Sequence, residues 1–279
     1  LVFGVMDFIN LAHGVQYMLG AYLTATAVAW TDHFGLGLAL GMLATLAAGF
    51  MLEILVYRHL TGRDHLEQVL ATFGLILFMT EGVKMVFGAS PIAMRTPEIL
   101  SGSVVLMPGL LYPVWRIAII ASGLGVALLL WLLVARTRIG MLVRAGSTHA
   151  PIVSALGVDI DRLFMIVFAF GAMLAGFAGS MAAPILSVEP NMGDGVLILA
   201  FVVIVIGGIG SIRGAFLAAL LVGLVDTLGR AFMTDILKLF FANSSAAKAG
   251  PALASMLIYV VMALILFFRP QGLFPAERR

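Results

Sequence analysis

Eight stretches of mostly apolar residues dictate what this chain can fold into. They lie near residues 14 to 31, 35 to 57, 67 to 88, 113 to 135, 163 to 187, 196 to 209, 214 to 230 and 252 to 268, and from Ile117 to Ala135 there is no charge at all. A helix needs about 17 to 25 such residues to cross the hydrocarbon core of a bilayer. In lipid, only helices and closed barrels satisfy their own backbone. With 62% hydrophobic and 11% charged residues and a mean hydropathy of +1.13, a water-soluble globular domain is excluded. The expected fold is an all-α polytopic bundle of about eight spans, organised as one transmembrane domain over residues 1 to 279. No loop exceeds roughly 30 residues, and a soluble domain takes about 50 or more.

Two parts depart from a plain row of spans. The stretch at 196 to 209 is too short for a full crossing and runs into Gly207-Gly-Ile-Gly-Ser-Ile-Arg-Gly214. Its end is therefore expected within protein or beside a water-filled cavity, as in a broken or re-entrant helix. The apolar segment from Val2 to Leu11 lacks the basic leader and small-residue cleavage site of a signal peptide, and is expected to be the stub of a first span that is otherwise missing. Asp7, Asn10 and His13 lie at its end and are expected at the water interface, the other reading being a functional role.

The basic residues set orientation. Arg58, Arg63, Arg136, Arg138, Arg144, Arg162, Arg213, Arg269, Arg278 and Arg279 fall on one side of the alternation, against Arg95, Arg230, Lys238 and Lys248 on the other. The positive-inside rule then places the basic stretch 136 to 162 and the C-terminus in the cytoplasm, and the loops near 89 to 112 and 231 to 251 outside. These charges sit at the ends of apolar segments and are not interleaved with aromatics, so nucleic acid is not an expected partner. The absence of cysteine excludes a disulfide framework and a thiolate metal site.

Within the spans, Gly37 with Gly41, Ala172 with Gly176, Ala175 with Gly179 and Gly210 with Gly214 have the four-residue spacing that lets helix backbones approach closely. Glu81 with Lys84 and Asp226 with Arg230 are spaced to neutralise each other along a helix face, which leaves little for a proton relay. Glu53 lies near the end of its span, where it can snorkel to water. No lysine belongs to a Gly-x-x-x-x-Gly-Lys-Ser/Thr loop, no His-Glu-x-x-His occurs and no Gly-x-Ser-x-Gly occurs. The sequence supports no enzymatic chemistry, no metal site and no cofactor in this chain.

Several segments, in order along nearly the whole chain, carry a family resemblance. Asp7-Phe-Ile-Asn-Leu-Ala-His-Gly14, Met18-Leu-Gly-Ala-Tyr-Leu23, Ala71-Thr-Phe-Gly74, Gly207-Gly-Ile-Gly-Ser-Ile-Arg-Gly-Ala215 and Phe268-Arg-Pro-Gln-Gly-Leu-Phe274 resemble the signatures of branched-chain amino acid ABC importer permeases, the H-type subunit of the leucine/isoleucine/valine system above all. The resemblance implies a multi-pass subunit of the bacterial inner membrane working by alternating access. It also implies two cytoplasmic ATP-binding subunits that hold ATP and Mg, a second related permease chain and an extracytoplasmic binding protein. By position, Arg144-Ala145 through Ala155-Leu156-Gly157 matches the coupling helix that docks into a groove of the ATP-binding subunit.

Ala150, Ile152, Val153 and Leu156 fall within this segment. Ile152, Val153 and Leu156 can supply an apolar ridge, and Gly157 suits a left-handed helix end. Pro151 and the absence of an acid in 147 to 151 depart from the family pattern, and a docking helix is expected from about 149 to 157. The expected pathway walls are Asn10, His13, Gly14, Thr72, Gly74, Gly207, Gly208, Gly210 and Gly214. A self-contained secondary transporter or channel would share the spans and the broken helix, while urea, amides or other amino acids are the alternative substrates within the ABC reading.

Overall fold

The computed structural model describes residues 8, 10–107 and 109–274, and these are mainly helical, with one antiparallel hairpin. The helices are α1 (His13–Thr31), α2 (Phe34–Leu60), α3 (His65–Phe87), α4 (Val114–Arg136), α5 (Arg138–Ala155), α6 (Ile160–Leu186), α7 (Met192–Gly207), α8 (Ile212–Lys238) and α9 (Asn243–Phe268). Within α2, residues Glu53–Tyr57 form a π-helical turn. Strands β1 (Ser103–Met107) and β2 (Leu110–Pro113) pair antiparallel in the connection between α3 and α4. Six helices, α2, α3, α4, α6, α8 and α9, are long and apolar enough to cross a membrane, and α7 is a shorter apolar helix. With α1, each of the eight apolar stretches has its helix. The chain divides into two compact units, residues 1–197 and 198–279, the boundary falling inside α7.

The first unit is built on α1, α2 and α6. Their backbones meet at glycines, because lipid and leucine are equally apolar and association rests on close packing. A Cβ on Gly37 would lie 2.3 Å from Val28 Cγ2, one on Gly41 2.0 Å from Thr24 Oγ1, and one on Gly179 2.0 Å from the Tyr17 carbonyl oxygen. Three of the four expected small-residue pairs thus contribute to helix contacts. The fourth does not, since Gly210 lies outside any helix and is exposed, and Gly214 packs against Gly207. α1 is enclosed and carries Gln16 and Thr24 in its buried surface. The Thr24 and Ser180 hydroxyls are 2.7 Å apart, and Ser180 Oγ lies 2.7 Å from the Gly176 carbonyl and 3.1 Å from that of Gly20. Ser180 has one proton, which it gives to a carbonyl, so Thr24 donates to Ser180.

Extended backbone in this unit is also satisfied within protein: Ile92 and Val188 exchange both amide bonds, at 2.8 and 2.9 Å. The expected ion pairs form, Lys84 with Glu81 at 2.7 Å here and Arg230 with Asp226 at 2.8 Å in the second unit.

The second unit pairs α8 with α9 beside the end of α7, around Val202, Ile206, Ala218, Val222 and Ile258. Here the helices run longer than expected. The stretch 231 to 251, read from sequence as an outer loop, is helical except near residues 239–242. Its polar residues include Asp235 and Lys238, which pair at 2.7 Å along the helix. Charge within a helix end lowers its apolarity without ending it.

Candidate functional site

The basic stretch between α4 and α6 folds as one helix, α5. Thr137 caps it, its Oγ1 accepting from the Gly140 amide at 3.1 Å. The helix therefore begins at Arg138, not near 149, and runs through Pro151. An interior proline removes one amide bond and crowds the carbonyl four residues before it, yet α5 continues through Pro151, which is exposed. Gly140 was not singled out from sequence. A Cβ there would lie 2.4 Å from the carbonyl oxygens of Leu133 and Val134, so glycine permits the sharp turn of α5 against the end of α4. Arg144 donates from its guanidinium to the Val134 carbonyl and so serves as a cap for α4.

The other end of α5 matches the expected terminator. Gly157 has φ +87°, its amide donates to Ser154 O at 2.9 Å, and Val158 N donates to Val153 O at 3.4 Å, the paired bonds of a Schellman cap. One expected ridge residue turns the other way. Val153 is buried with Val143 against Leu163 and Val167, because it lies on the face of α5 that packs on α6. Ile152 at 59% and Leu156 at 79% exposure remain outward, with Met141, Arg144, Ala145 and Ala155, while Ala150 is half-buried. Met141, Ala145, Ile152 and Leu156 are separated by four, seven and four residues and so share one face. The face is apolar and exposed among the described residues.

The polar residues near the start of α1 gather inside the first unit. Asn10 is buried, its Oδ1 accepting from Ala12 N at 2.9 Å. That bond fixes the amide, so Nδ2, 3.2 Å from His13 Nδ1, donates to it and leaves the ring proton on Nε2. Leu11 N donates to Thr72 Oγ1 at 3.4 Å, and Thr72 donates to Gln68 O at 2.7 Å. The His13 ring stands edge-on to Phe168, 6.1 Å away, and Gly14 meets Gly193 at the start of α7, where a Cβ on either would fall within 2.6 Å of the other's carbonyl oxygen.

Asn10 is thus packed in protein and not set at a water interface, because Thr72 and α6 enclose this segment; Asp7 lies outside the described residues. Gly74 is not part of the group: it is exposed on α3 with nothing near its Cβ position. Gln16, one turn on from His13, was missed. It is 1% exposed and neither amide atom has a hydrogen-bond partner.

Gly207, Gly208 and Gly214 gather separately, in the second unit. α7 ends at Gly207, and Leu273 N and Phe274 N donate to the carbonyls of Ile206 and Gly207 at 2.8 and 3.1 Å. The last carbonyls of a helix have no partner within it, and in a bilayer water cannot supply one. The segment after α9 supplies them, and it approaches so closely that a Cβ on Gly272, φ +82°, would lie 2.6 Å from Gly208 Cα. Gly210, φ +85°, is exposed in the turn to α8. Among the described residues no three His, Asp or Glu side chains gather where a metal ion could sit.

A multi-pass helical membrane protein with one short apolar helix and an exposed basic helix between two spans is the class these features define. The model of the family described as "Branched-chain amino acid transport system / permease component" matches residues 1–266, and the chain belongs to that family. It is 29% identical to the high-affinity branched-chain amino acid transport system permease protein BraD of Pseudomonas aeruginosa, over 98% of this chain and 88% of that protein. To the corresponding LivH of Escherichia coli it is 26% identical, over 84% of this chain and 80% of the other. The ribose import permease protein RbsC of Escherichia coli is 24% identical, over 79% and 71%. No solved structure matches.

Proposed function

We propose that this chain is a transport subunit and not an enzyme: the membrane permease of an ATP-driven importer of branched-chain amino acids. The observation that carries the reading is the family match over residues 1–266 together with α5, a capped helix whose apolar face is exposed among the described residues. The basic face carrying α5, and the C-terminus, lie in the cytoplasm. Two ATP-binding subunits holding ATP and Mg engage α5, and nucleotide-driven closure moves the bundle through it. A second, related permease chain completes the path, and an extracytoplasmic binding protein delivers substrate. The buried group of Asn10, His13, Gly14 and Thr72, with Gln16 beside it, forms part of the path wall in the first unit, and the Gly207 to Gly214 segment is the corresponding wall element in the second.

Reconstitution tests this. Proteoliposomes holding the permease pair, the ATP-binding subunits and the binding protein should take up leucine, isoleucine or valine only with ATP. Uptake by the single chain alone, down a gradient or with protons, would overturn the reading. Uptake of urea, amides or ribose in place of these amino acids would keep the importer and change its substrate.

A further inference from the structure

Close to the end of α5, the first unit holds a polar cavity of about 540 Å³ between the end of α2 and the start of α6. Its charged lining is Glu53, Arg58, Asp159, Asp161 and Arg162. Glu53 is 5% exposed, and its Oε2 has no hydrogen-bond partner. It stands on the π-helical turn Glu53–Tyr57, a distortion that interrupts regular α-helix and recurs at functional sites. A buried carboxylate oxygen without a donor is unfavourable. Arg162 is committed to Asp159 at 2.8 Å. Arg58 and Asp161 are the charged neighbours of Glu53 and act on it with opposite sign. The lining sets three carboxyl groups against two guanidiniums, and its buried member lacks a donor.

We propose that this cavity receives a lysine or arginine side chain of an ATP-binding subunit, with the Glu53 carboxylate as its counter-charge. The inference rests on the assignment of α5 as the docking helix. Asp159 caps α6, lines the cavity and lies two residues beyond Gly157, which brings the cavity close to the end of α5. A free metal ion would meet Arg58 and Arg162 at the rim. A tethered cationic side chain instead lays its apolar stem against Ile54, Phe164 and Met165 and delivers its charge to Glu53. The contact gives the permease a second, charge-based hold on the subunit beside the apolar ridge of α5.

The chain has no cysteine, which allows a clean test in the assembled transporter. Thr61, at the cavity, and Ile152, on the exposed face of α5, are each replaced by cysteine, Thr61→Cys and Ile152→Cys, and treated with a thiol-to-amine cross-linker. Both variants should link to the ATP-binding subunit. A link from Ile152→Cys without one from Thr61→Cys overturns this inference and leaves the docking helix standing; failure of both overturns the docking assignment itself. In parallel, Glu53→Gln should weaken retention of the ATP-binding subunit roughly tenfold or more, since it removes one side of a desolvated charge pair. Asp161→Asn, on the exposed rim, should weaken it less and make it less sensitive to salt. Unchanged retention in a folded Glu53→Gln, or in Asp161→Asn should Glu53→Gln not fold, also overturns it.

Discussion

Gly157 offers a perturbation whose size follows from geometry. Its φ of +87° is a left-handed conformation, and nothing lies within 4 Å of the position a Cβ would take. A side chain there meets no steric obstacle, so the penalty is conformational alone, about 1–2 kcal/mol for a residue with a Cβ. That is a factor of roughly 5 to 30 in the population of the closed helix end. The Schellman bonds from Gly157 N and Val158 N depend on this conformation, and they hold Ile152 and Leu156 at the end of the exposed ridge. Gly157→Ala is therefore expected to leave thermal stability in detergent unchanged while lowering ATP-driven uptake about fivefold. Gly157→Val, β-branched, should lower it further, and Gly157→Asn should recover much of the loss because Asn tolerates the left-handed region. The readouts are the initial rate of uptake and the number of substrate molecules moved per ATP in reconstituted vesicles. Full uptake by Gly157→Val, or an order in which Asn is as damaging as Val, would refute the role of this helix end.

Three further outcomes follow from packing and hydrogen bonding. Gly20→Ala puts a Cβ 2.1 Å from Gly176 Cα, where backbone meets backbone, and should lower thermal stability by at least the ~1–3 kcal/mol of an overpacked core; Gly223→Ala, in open space on α8, should match or exceed the parent because helix propensity gains about 0.8–1.0 kcal/mol. Leu273→Pro removes the amide that donates to Ile206 O and should destabilise the second unit by about 1–3 kcal/mol, with faster hydrogen exchange at the end of α7, whereas Phe274→Leu keeps its donor and should not. Gln16→Leu deletes a buried amide that has no partner, so thermal stability should hold or rise while uptake falls; a loss of stability beyond about 1 kcal/mol would show that the amide is satisfied in the assembly.

Hydropathy located every apolar helix because the requirement it reads, apolar side chains over a bilayer thickness, acts on each segment alone. It could not tell which helix faces protein. α4 is the most apolar of the six candidate spans and buries none of its apolar window, whereas half of the corresponding window of α6 is buried. Both contain glycines, but Gly123 and Gly125 on α4 meet nothing while Gly176 and Gly179 on α6 meet α2 and α1. Four-residue spacing permits close approach without naming the partner. The start of α5 was illegible for a different reason. Pro151 looked like a start signal, yet the deciding features were the Thr137 hydroxyl and a glycine at 140 that fits under the carbonyls of α4, and the second is a contact between helices.

The broken helix shows how two motifs that are far apart in sequence become one structural device. Gly207-Gly208 ends α7 before it can cross a bilayer, and the glycines after it look like a cavity lining when read alone. Arg269-Pro-Gln-Gly-Leu-Phe274 looks like a terminal signature with no mechanical purpose. Together they close a hydrogen-bond account that neither satisfies separately: the carbonyls of Ile206 and Gly207 need donors in a medium without water, and the amides of Leu273 and Phe274 need acceptors. Gly208 and Gly272 are glycine because the two backbones pass at a distance that no Cβ allows. Sequence displays each half, and only the requirement that buried backbone be paired joins them.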